Sequence, residues 1–317
     1  MVLLLGATGL LGRNVLSVLL ERGIPVRALV RSALDVPGVE VVHGSLLSFD
    51  DLLRAASGCS AIINCAGTTD MSLPSVEDFL PVNRDLPQML CNVASQCGAT
   101  VLIHTSTANT VVCGTREHPS TESAPFGAPY DKSPYAVSKK AGEDALLSYA
   151  ASHPQLRLVI VNPGFMLGAY DSKPSSGQMV LLGWKKPLLF VTRGSKSILH
   201  VRDAAAAIVN ALSRGSGRYL LTGECVTIKE FYRRQALVGG YRQLCIVLPD
   251  WMTVLVGYMG ALLRAFGIRN EFYPHNVRQL LYHEWYDCSR ARRELDYPCT
   301  GIETAIRDFV DWYYMNA

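Results

Sequence analysis

The sequence predicts an α/β protein built on a doubly wound parallel sheet, with a smaller, mostly helical C-terminal region. Three observations predict it. Short β-rich runs alternate with segments of helical period through the first half of the chain, the pattern of right-handed βαβ units. A glycine triplet, Gly6, Gly9 and Gly12, falls between the first run and the first helical segment. The 317 residues, 49% hydrophobic and 18% charged, form a globular composition with room for a sizeable core.

Each element follows from its local pattern. Val2–Leu5 is a short apolar run read as a buried strand, although MVLLLGATGLLG superficially resembles a signal-peptide core. It lacks a basic leader, and Gly6 breaks the run. Residues 10–21 have helical period, and β-rich runs follow at 26–30, 39–43, 61–66, 101–106 and 157–164. Helical segments at 50–56, 86–96 and 135–151 lie between them. After Asn162-Pro163-Gly164 comes a loop-rich stretch at 170–177, then short strands near 188–191 and 197–201. Residues 200–212 read as one more helix on the sheet, and from Ile228 the pattern is mostly helical apart from a strand-like 245–248. The organisation expected is a dinucleotide-binding domain at 1–165 to which 196–227 return, with 166–195 and 228–317 forming a substrate-binding cap.

Composition excludes several function classes. A net charge of +3 with no basic tail gives no argument for nucleic acid or an anionic membrane. The nine cysteines form no CxxC pair and no cysteine–histidine cluster, so free thiols in a reducing cytoplasm are expected and no metal. No segment reaches the roughly 20 uncharged residues of a membrane-spanning helix.

The glycine triplet carries the first chemistry. Gly6, Ala7, Thr8, Gly9, Leu10, Leu11 and Gly12 follow a strand and open a helix, the setting of a Rossmann dinucleotide loop. Gly6 allows a sharp turn, Gly9 lets backbone approach a pyrophosphate, and Gly12 lets the helix pack on the sheet. The helix N-terminus then offers unpaired N–H groups to phosphate. An acid at the end of the second strand would select NAD, but that slot holds Val30, followed by Arg31. A guanidinium binds a 2′-phosphate in a charge-assisted pair, so NADP(H) is preferred and NAD(H) stays open.

The second chemistry lies in SPYAVSKKAGE at 133–143, where Tyr135 and Lys139 share one helical face. An ammonium near a phenol favours the phenolate, and the pair can pass a proton to or from a substrate oxygen during hydride transfer. Upstream, HTSTA at 104–108 closes a strand. Ligands bind at that edge of an open parallel sheet, so Thr107, with Ser106 beside it, is the candidate hydroxyl for a substrate carbonyl.

GATGLLG, NCAG at 64–67, VN at 82–83, HTSTA, SPYAVSKK, VNPGFMLG at 161–168 and HVRDAA at 200–205 occur in this order. Together they resemble the extended short-chain dehydrogenase/reductase superfamily over roughly the first two thirds of the chain. The branch of dihydroflavonol reductases and 3β-hydroxysteroid dehydrogenases is the most similar, through VRALVR at 26–31. The resemblance implies that Tyr135 is the acid/base, that Lys139 also holds the nicotinamide ribose, and that Thr107 is the hydroxyl partner. It further implies that Cys65, Ala66, Gly67 and Asn83 border the cofactor, and that Pro163 and Phe165 lie at its nicotinamide end. One departure is Gly44-Ser45-Leu46 where the superfamily often has Gly-Asp-Leu. Another is threonine in place of the commoner serine, with the donor retained. A homodimer is also implied.

Dehydratases of the superfamily carry Asp-Glu after the threonine, and Ala108-Asn109 stand there instead. Val30-Arg31 argues against a nucleotide-sugar epimerase with bound NAD. Ketone/alcohol redox remains, with a non-catalytic NADP-binding scaffold as the reading from another class. Residues 249–267 are apolar on nearly every helical face. The bland expectation is a buried cap helix. The sharper one is a helix that serves an apolar ketone, such as a 3-keto long-chain base, a ceramide-like lipid, a steroid or a flavonoid-like ketone, and that touches the inner face of a membrane. Arg290, Arg292 and Arg293 are read as a solvated helix face.

Overall fold

The computed structural model describes residues 1–268 and 270–316. Seven parallel strands form the central sheet: β1 (Val2–Leu5), β2 (Val26–Val30), β3 (Val39–His43), β4 (Ala61–Asn64), β5 (Val101–Thr105) and β6 (Arg157–Pro163), joined by a later strand. The later elements are β7 (Phe165–Leu167), β8 (Leu188–Val191), β9 (Ser195–His200), β10 (Gly217–Leu221), β11 (Glu224–Thr227) and β12 (Leu244–Val247). Across the sheet the order is β10-β6-β5-β4-β1-β2-β3, with register pairs such as Leu5↔Leu29, Leu5↔Asn64 and Asn64↔His104. The order reverses between β1 and β4, the crevice where open α/β sheets bind ligands.

Burial on both faces explains the near-continuous apolar runs of these strands. Leu4, Ile63, Ile103 and Val161 face one layer, made by α1 (Leu10–Glu21) and later α6 (Val201–Asn210). Leu3, Ile62, Leu102 and Ile160 face the other, made by α2 (Phe49–Ala56), α3 (Leu86–Cys97) and α4 (Pro134–Ser152). The predicted strands at 61–66 and 101–106 end earlier, at Asn64 and Thr105. There the chain leaves the ladder to build the site.

Beyond β6 the chain alternates between the main sheet and a second body. β7, β9 and β11 form a three-stranded sheet, β8 and β12 a two-stranded one. α5 (Gly177–Gly183), α7 (Ile228–Gly239) and the final helix, Ile302–Asn316, pack with them around Phe231, Tyr232, Ile306 and Phe309. Three more helices precede that last one: α8 (Asp250–Ala265), α9 (Pro274–Gln279) and α10 (Ser289–Leu295). A buried carboxylate ties 283–286 to β9. Glu284 pairs with Lys196 and accepts from the Ser197 N–H at 3.2 Å and the Tyr130 hydroxyl at 3.1 Å.

Two sequence expectations are corrected here. The 249–267 helix is not a buried cap helix. Only Thr253, Gly257 and Gly260 of α8 are buried, while Trp251 is 66% and Leu262 60% exposed. Its small residues admit the neighbouring chain: a Cβ on Gly260 would stand 2.2 Å from the Phe272 carbonyl oxygen, and one on Gly257 3.0 Å from Pro274 Cα. Close backbone approach therefore uses the small face, and the large side chains are left outside. Arg290, likewise, is not merely solvated. It donates to the Arg218 and Ser216 carbonyls at 3.0 and 2.9 Å and lies 4.4 Å above the Tyr219 ring.

Candidate active site

The glycine loop is shaped by its own chain at two of its three glycines. Gly6 has φ +79°, and a Cβ there would stand 2.7 Å from the Ala66 nitrogen. At Gly12 a Cβ would stand 2.0 Å from the Gly6 carbonyl oxygen, so any side chain would push α1 off the loop. Gly9 differs: its Cβ would meet only the Gly6 oxygen at 3.6 Å, ordinary contact. Nothing in the protein demands glycine there, whereas a ligand against the backbone would. Gly9 and Thr8 are exposed, and Ala7, Leu11 and Gly12 are buried beneath them. α1 has no side-chain cap and no acid in its first turn, so its leading N–H groups remain available to an anion. This cradle fits a dinucleotide pyrophosphate.

Tyr135 and Lys139 are positioned by the start of α4. Ser133 caps the helix by accepting from the Ala136 N–H, and Pro134 occupies the first turn, where its missing donor is not needed. Tyr135 is half-buried; burial pushes its hydroxyl up to about 12, against a smaller lowering by the Thr107 hydroxyl. Lys139 is buried and donates to the Thr105 carbonyl at 3.0 Å. Burial lowers its ammonium to about 8, opposed by the nearby Glu143 carboxylate. The net shift of the tyrosine is upward, and Lys139 Nζ is engaged by the end of β5. Thr107 interacts with Tyr135. Ser106 lies beside it with a buried Oγ that has no hydrogen-bond partner among the described residues.

The loop after β4 is fixed around this cluster. Asn64 Oδ1 accepts from the Ala66 N–H at 3.0 Å, which turns its amide nitrogen toward His104 Nδ1 at 3.1 Å. His104 must therefore accept at Nδ1 and is neutral, and burial holds it well below its usual range. Asn83 exchanges hydrogen bonds with the Thr68 backbone at 2.9 and 3.0 Å and donates to Ser138 Oγ at 3.0 Å. It thereby clamps this loop to α4. Gly67 sits directly over the lysine: a Cβ there would be 2.8 Å from Lys139 Nζ. Cys65 approaches Thr105 Oγ1 at 3.8 Å, and burial raises its thiol to about 12. It is a packing residue in the protonated form.

Sequence reasoning missed the network that holds Thr107. Asn162, on β6, donates to the Thr107 carbonyl at 3.1 Å and to Thr110 Oγ1 at 3.0 Å. Both Asn162 and Thr110 reach the fully buried Glu143, at 2.5 and 2.8 Å, and Arg218 of β10 closes the set at 3.1 Å from that carboxylate. The signal was partly present, since Glu143 lies one helical turn beyond Lys139 on the same face. Arg218 carried none.

Pro163 ends β6 buried, and Phe165 begins β7, half-buried. Between them Gly164 is packed so that a Cβ would stand 2.6 Å from the Ser197 carbonyl oxygen. Arg31 follows β2, is exposed, and makes no hydrogen bond or ion pair among the described residues. At the altered Gly44-Ser45-Leu46 turn, Asp51 accepts from the Ser45 N–H at 2.9 Å, which holds the carboxyl below its usual range.

Residues 2–221 match the family described as "NAD dependent epimerase/dehydratase family". The chain belongs to that family. As a member of the NAD dependent epimerase/dehydratase family it is an enzyme dependent on a nicotinamide dinucleotide, acting on CH–OH or ketone groups of small molecules. It is 29% identical over 98% of its length, and 97% of the relative's, to "Sterol demethylase protein B" of Methylococcus capsulatus. It is 30% identical over 97% of its length, and 92% of the relative's, to "Ceramide reductase" of Caulobacter vibrioides. Among solved structures, gox2253 matches with a TM-score of 0.84 and 26% identity over all of this chain and 98% of that one. MoeE5 in complex with UDP-glucuronic acid and NAD matches with a TM-score of 0.79 and 18% identity, over 100% and 99% of the two chains. This second likeness is one of fold.

Proposed function

We propose that this family member is an NADP(H)-dependent ketoreductase that interconverts a ketone and a secondary alcohol on a largely apolar substrate. The observation that carries the reading is that the Tyr135 and Thr107 hydroxyls interact just past the end of β5, where the Lys139 ammonium is held by the Thr105 carbonyl. Ala108 and Asn109 follow the threonine, where elimination of water would call for acid and base carboxyls. When bound, NADPH would supply the hydride. Thr107 Oγ1 would hold the substrate oxygen, and Tyr135 would donate a proton to that oxygen as it gains charge. Lys139 would supply the positive charge that makes this transfer favourable and would hold the nicotinamide ribose. Asn83, Gly67 and Cys65–Ala66 shape the wall on the cofactor side, with Pro163 and Phe165 at the nicotinamide end.

NADP(H) is proposed over NAD(H) because Arg31 is an exposed guanidinium with no partner among the described residues, and no acid occupies the preceding position. Residues 1–165 and 196–227 serve as the dinucleotide domain, and 166–195 with 228–317 as the substrate cap. The apolar surface of that cap supports a lipid-like ketone: a ceramide-like lipid, a 3-keto long-chain base, a steroid or a flavonoid-like ketone. The names of the sterol and ceramide relatives point the same way. A cytoplasmic homodimer completes the proposal.

The test is NADPH oxidation by the purified protein over a ketone panel that includes UDP- and GDP-sugars, with Tyr135→Phe as control. Turnover confined to apolar ketones and lost in the variant supports the reading. Conversion of a nucleotide sugar without net cofactor consumption would overturn it in favour of an epimerase. Binding of NADPH with no turnover across the panel would favour a scaffold.

A further inference from the structure

The exposed large hydrophobic residues are concentrated in one part of the chain, from β8 and β12 through α8 to Phe272. On α8 the side chains of Trp251, Leu255, Val256, Tyr258 and Leu262 are all exposed, as is Phe266 just past its end, by 76%. At about 100° per residue they span an arc of about 160°, whereas Thr253, Gly257 and Gly260 fill the opposite side against α9 and Phe272. The register of the two-stranded sheet adds to this surface, pairing exposed Leu188 with Leu244 and exposed Phe190 with Ile246. β12 runs directly into α8, and the Arg193–Asp250 ion pair at 2.9 Å fastens the end of β8 to the start of that helix. Monomeric proteins rarely expose a contiguous apolar patch beyond about 300–600 Å².

We propose that this surface is a membrane-contact face that lies in the interfacial region of an anionic bilayer. An arc this wide exceeds the narrow seam used by a partner helix. It suits a helix lying along an interface, with Trp251 and Tyr258 offering amphipathic rings. Charge agrees. Among the described residues, segments 185–193 and 242–280 carry exposed Lys185, Lys186, Arg193, Arg242 and Arg278 against only Asp250 and Glu271, while Arg264 turns inward onto Tyr273. Such basic residues beside an apolar face favour anionic lipid. No helix of the described residues is long and apolar enough to cross a membrane, so contact is peripheral.

The face also adjoins the candidate site. Arg264 and Tyr273 donate to the Ser72 carbonyl at 3.2 and 3.4 Å, and Asn276 donates to that of Met71 at 3.2 Å. Residues 71–72 continue the loop whose Gly67 lies over Lys139 and whose Thr68 is held by Asn83. A substrate drawn from lipid would thus meet the cap at the rim of the catalytic cleft. That delivery role rests on the ketoreductase reading; the bilayer contact itself does not.

The experiment is co-sedimentation of the full chain with phosphatidylcholine vesicles, with and without phosphatidylglycerol, in the absence of any substrate. The wild type is expected to pellet with the mixed vesicles and to be released by salt. A triple variant, Leu255→Ser, Met259→Ser and Leu262→Ser, changes only exposed side chains. It is expected to bind at least tenfold more weakly while keeping its thermal transition and its turnover of a water-soluble ketone. Wild-type protein that stays in the supernatant with both vesicle types overturns the proposal. So does a dimer in solution that the same triple variant dissociates, since the face would then belong to a second copy. Vesicle binding by a protein that reduces no ketone leaves this proposal standing and defeats the activity reading alone.

Discussion

Replacing Gly67 by alanine should damage catalysis far more than folding. The added Cβ would stand 2.8 Å from Lys139 Nζ and 3.4 Å from its Cε, while the next atom, Asn83 Oδ1, is at 3.5 Å. Only the first of these is too close, and it is the free end of a flexible side chain. The ammonium therefore moves, and the backbone does not. The displacement puts at stake the charge-assisted hydrogen bond from Lys139 to the Thr105 carbonyl, now 3.0 Å. Such a bond is worth about 1.5–3 kcal/mol, which bounds the loss of stability. A catalytic group misplaced by about 1 Å costs on the order of 100-fold in rate. The expected result is a fall in kcat/KM for the ketone of about 10- to 100-fold, with a small change in thermal transition. Steady-state NADPH oxidation and thermal unfolding measured on the same preparation provide the check. An alanine variant with wild-type kcat/KM would show that the position of Lys139 does not govern the reaction, and the assignment would fail.

Three further outcomes are expected. Glu143→Ala strands the Arg218 guanidinium and removes an acceptor from Thr110 and Asn162; breaking a buried pair from one side costs about 3–5 kcal/mol, so the thermal transition should drop by roughly 10 °C, and an unchanged transition would contradict the network. The lowered Lys139 keeps its charge only below about 8, so kcat/KM should be level near neutral pH and fall as pH rises through that value. Its contribution to stability has the opposite slope: between about 8 and its ordinary 10.5 the unfolded chain holds more protons, and stability should rise with pH. Finally, Gly12→Ala should destabilise the fold, because its Cβ meets the Gly6 oxygen at 2.0 Å. Gly9→Ala should leave the melting temperature of the protein alone unchanged but weaken NADPH binding, read by fluorescence titration. Equal melting losses in both variants would remove the argument that Gly9 serves a ligand.

The sequence determined by itself everything that depends on local period and on residue type at fixed spacing. Buried parallel strands must be apolar on both faces, so Val2–Leu5, Ala61–Asn64 and Val101–Thr105 were legible as runs, and the glycine triplet was legible because sterics leave few alternatives there. Tyr135 and Lys139 were legible because four residues make one helical turn. Three things were decided only by the tertiary structure. Lys139 is held by the Thr105 carbonyl, a choice made by a strand 34 residues away. Arg218 reaches Glu143 because β10 returns beside β6, and no local pattern encodes that crossover. The apolar α8 lies outside rather than inside, because its glycines take the close contact with Phe272 and Pro274 and leave its large side chains without protein to cover them. Hydrophobicity counted along a segment states how much apolar surface exists. Which part of it meets protein is fixed by backbone approach between elements distant in sequence.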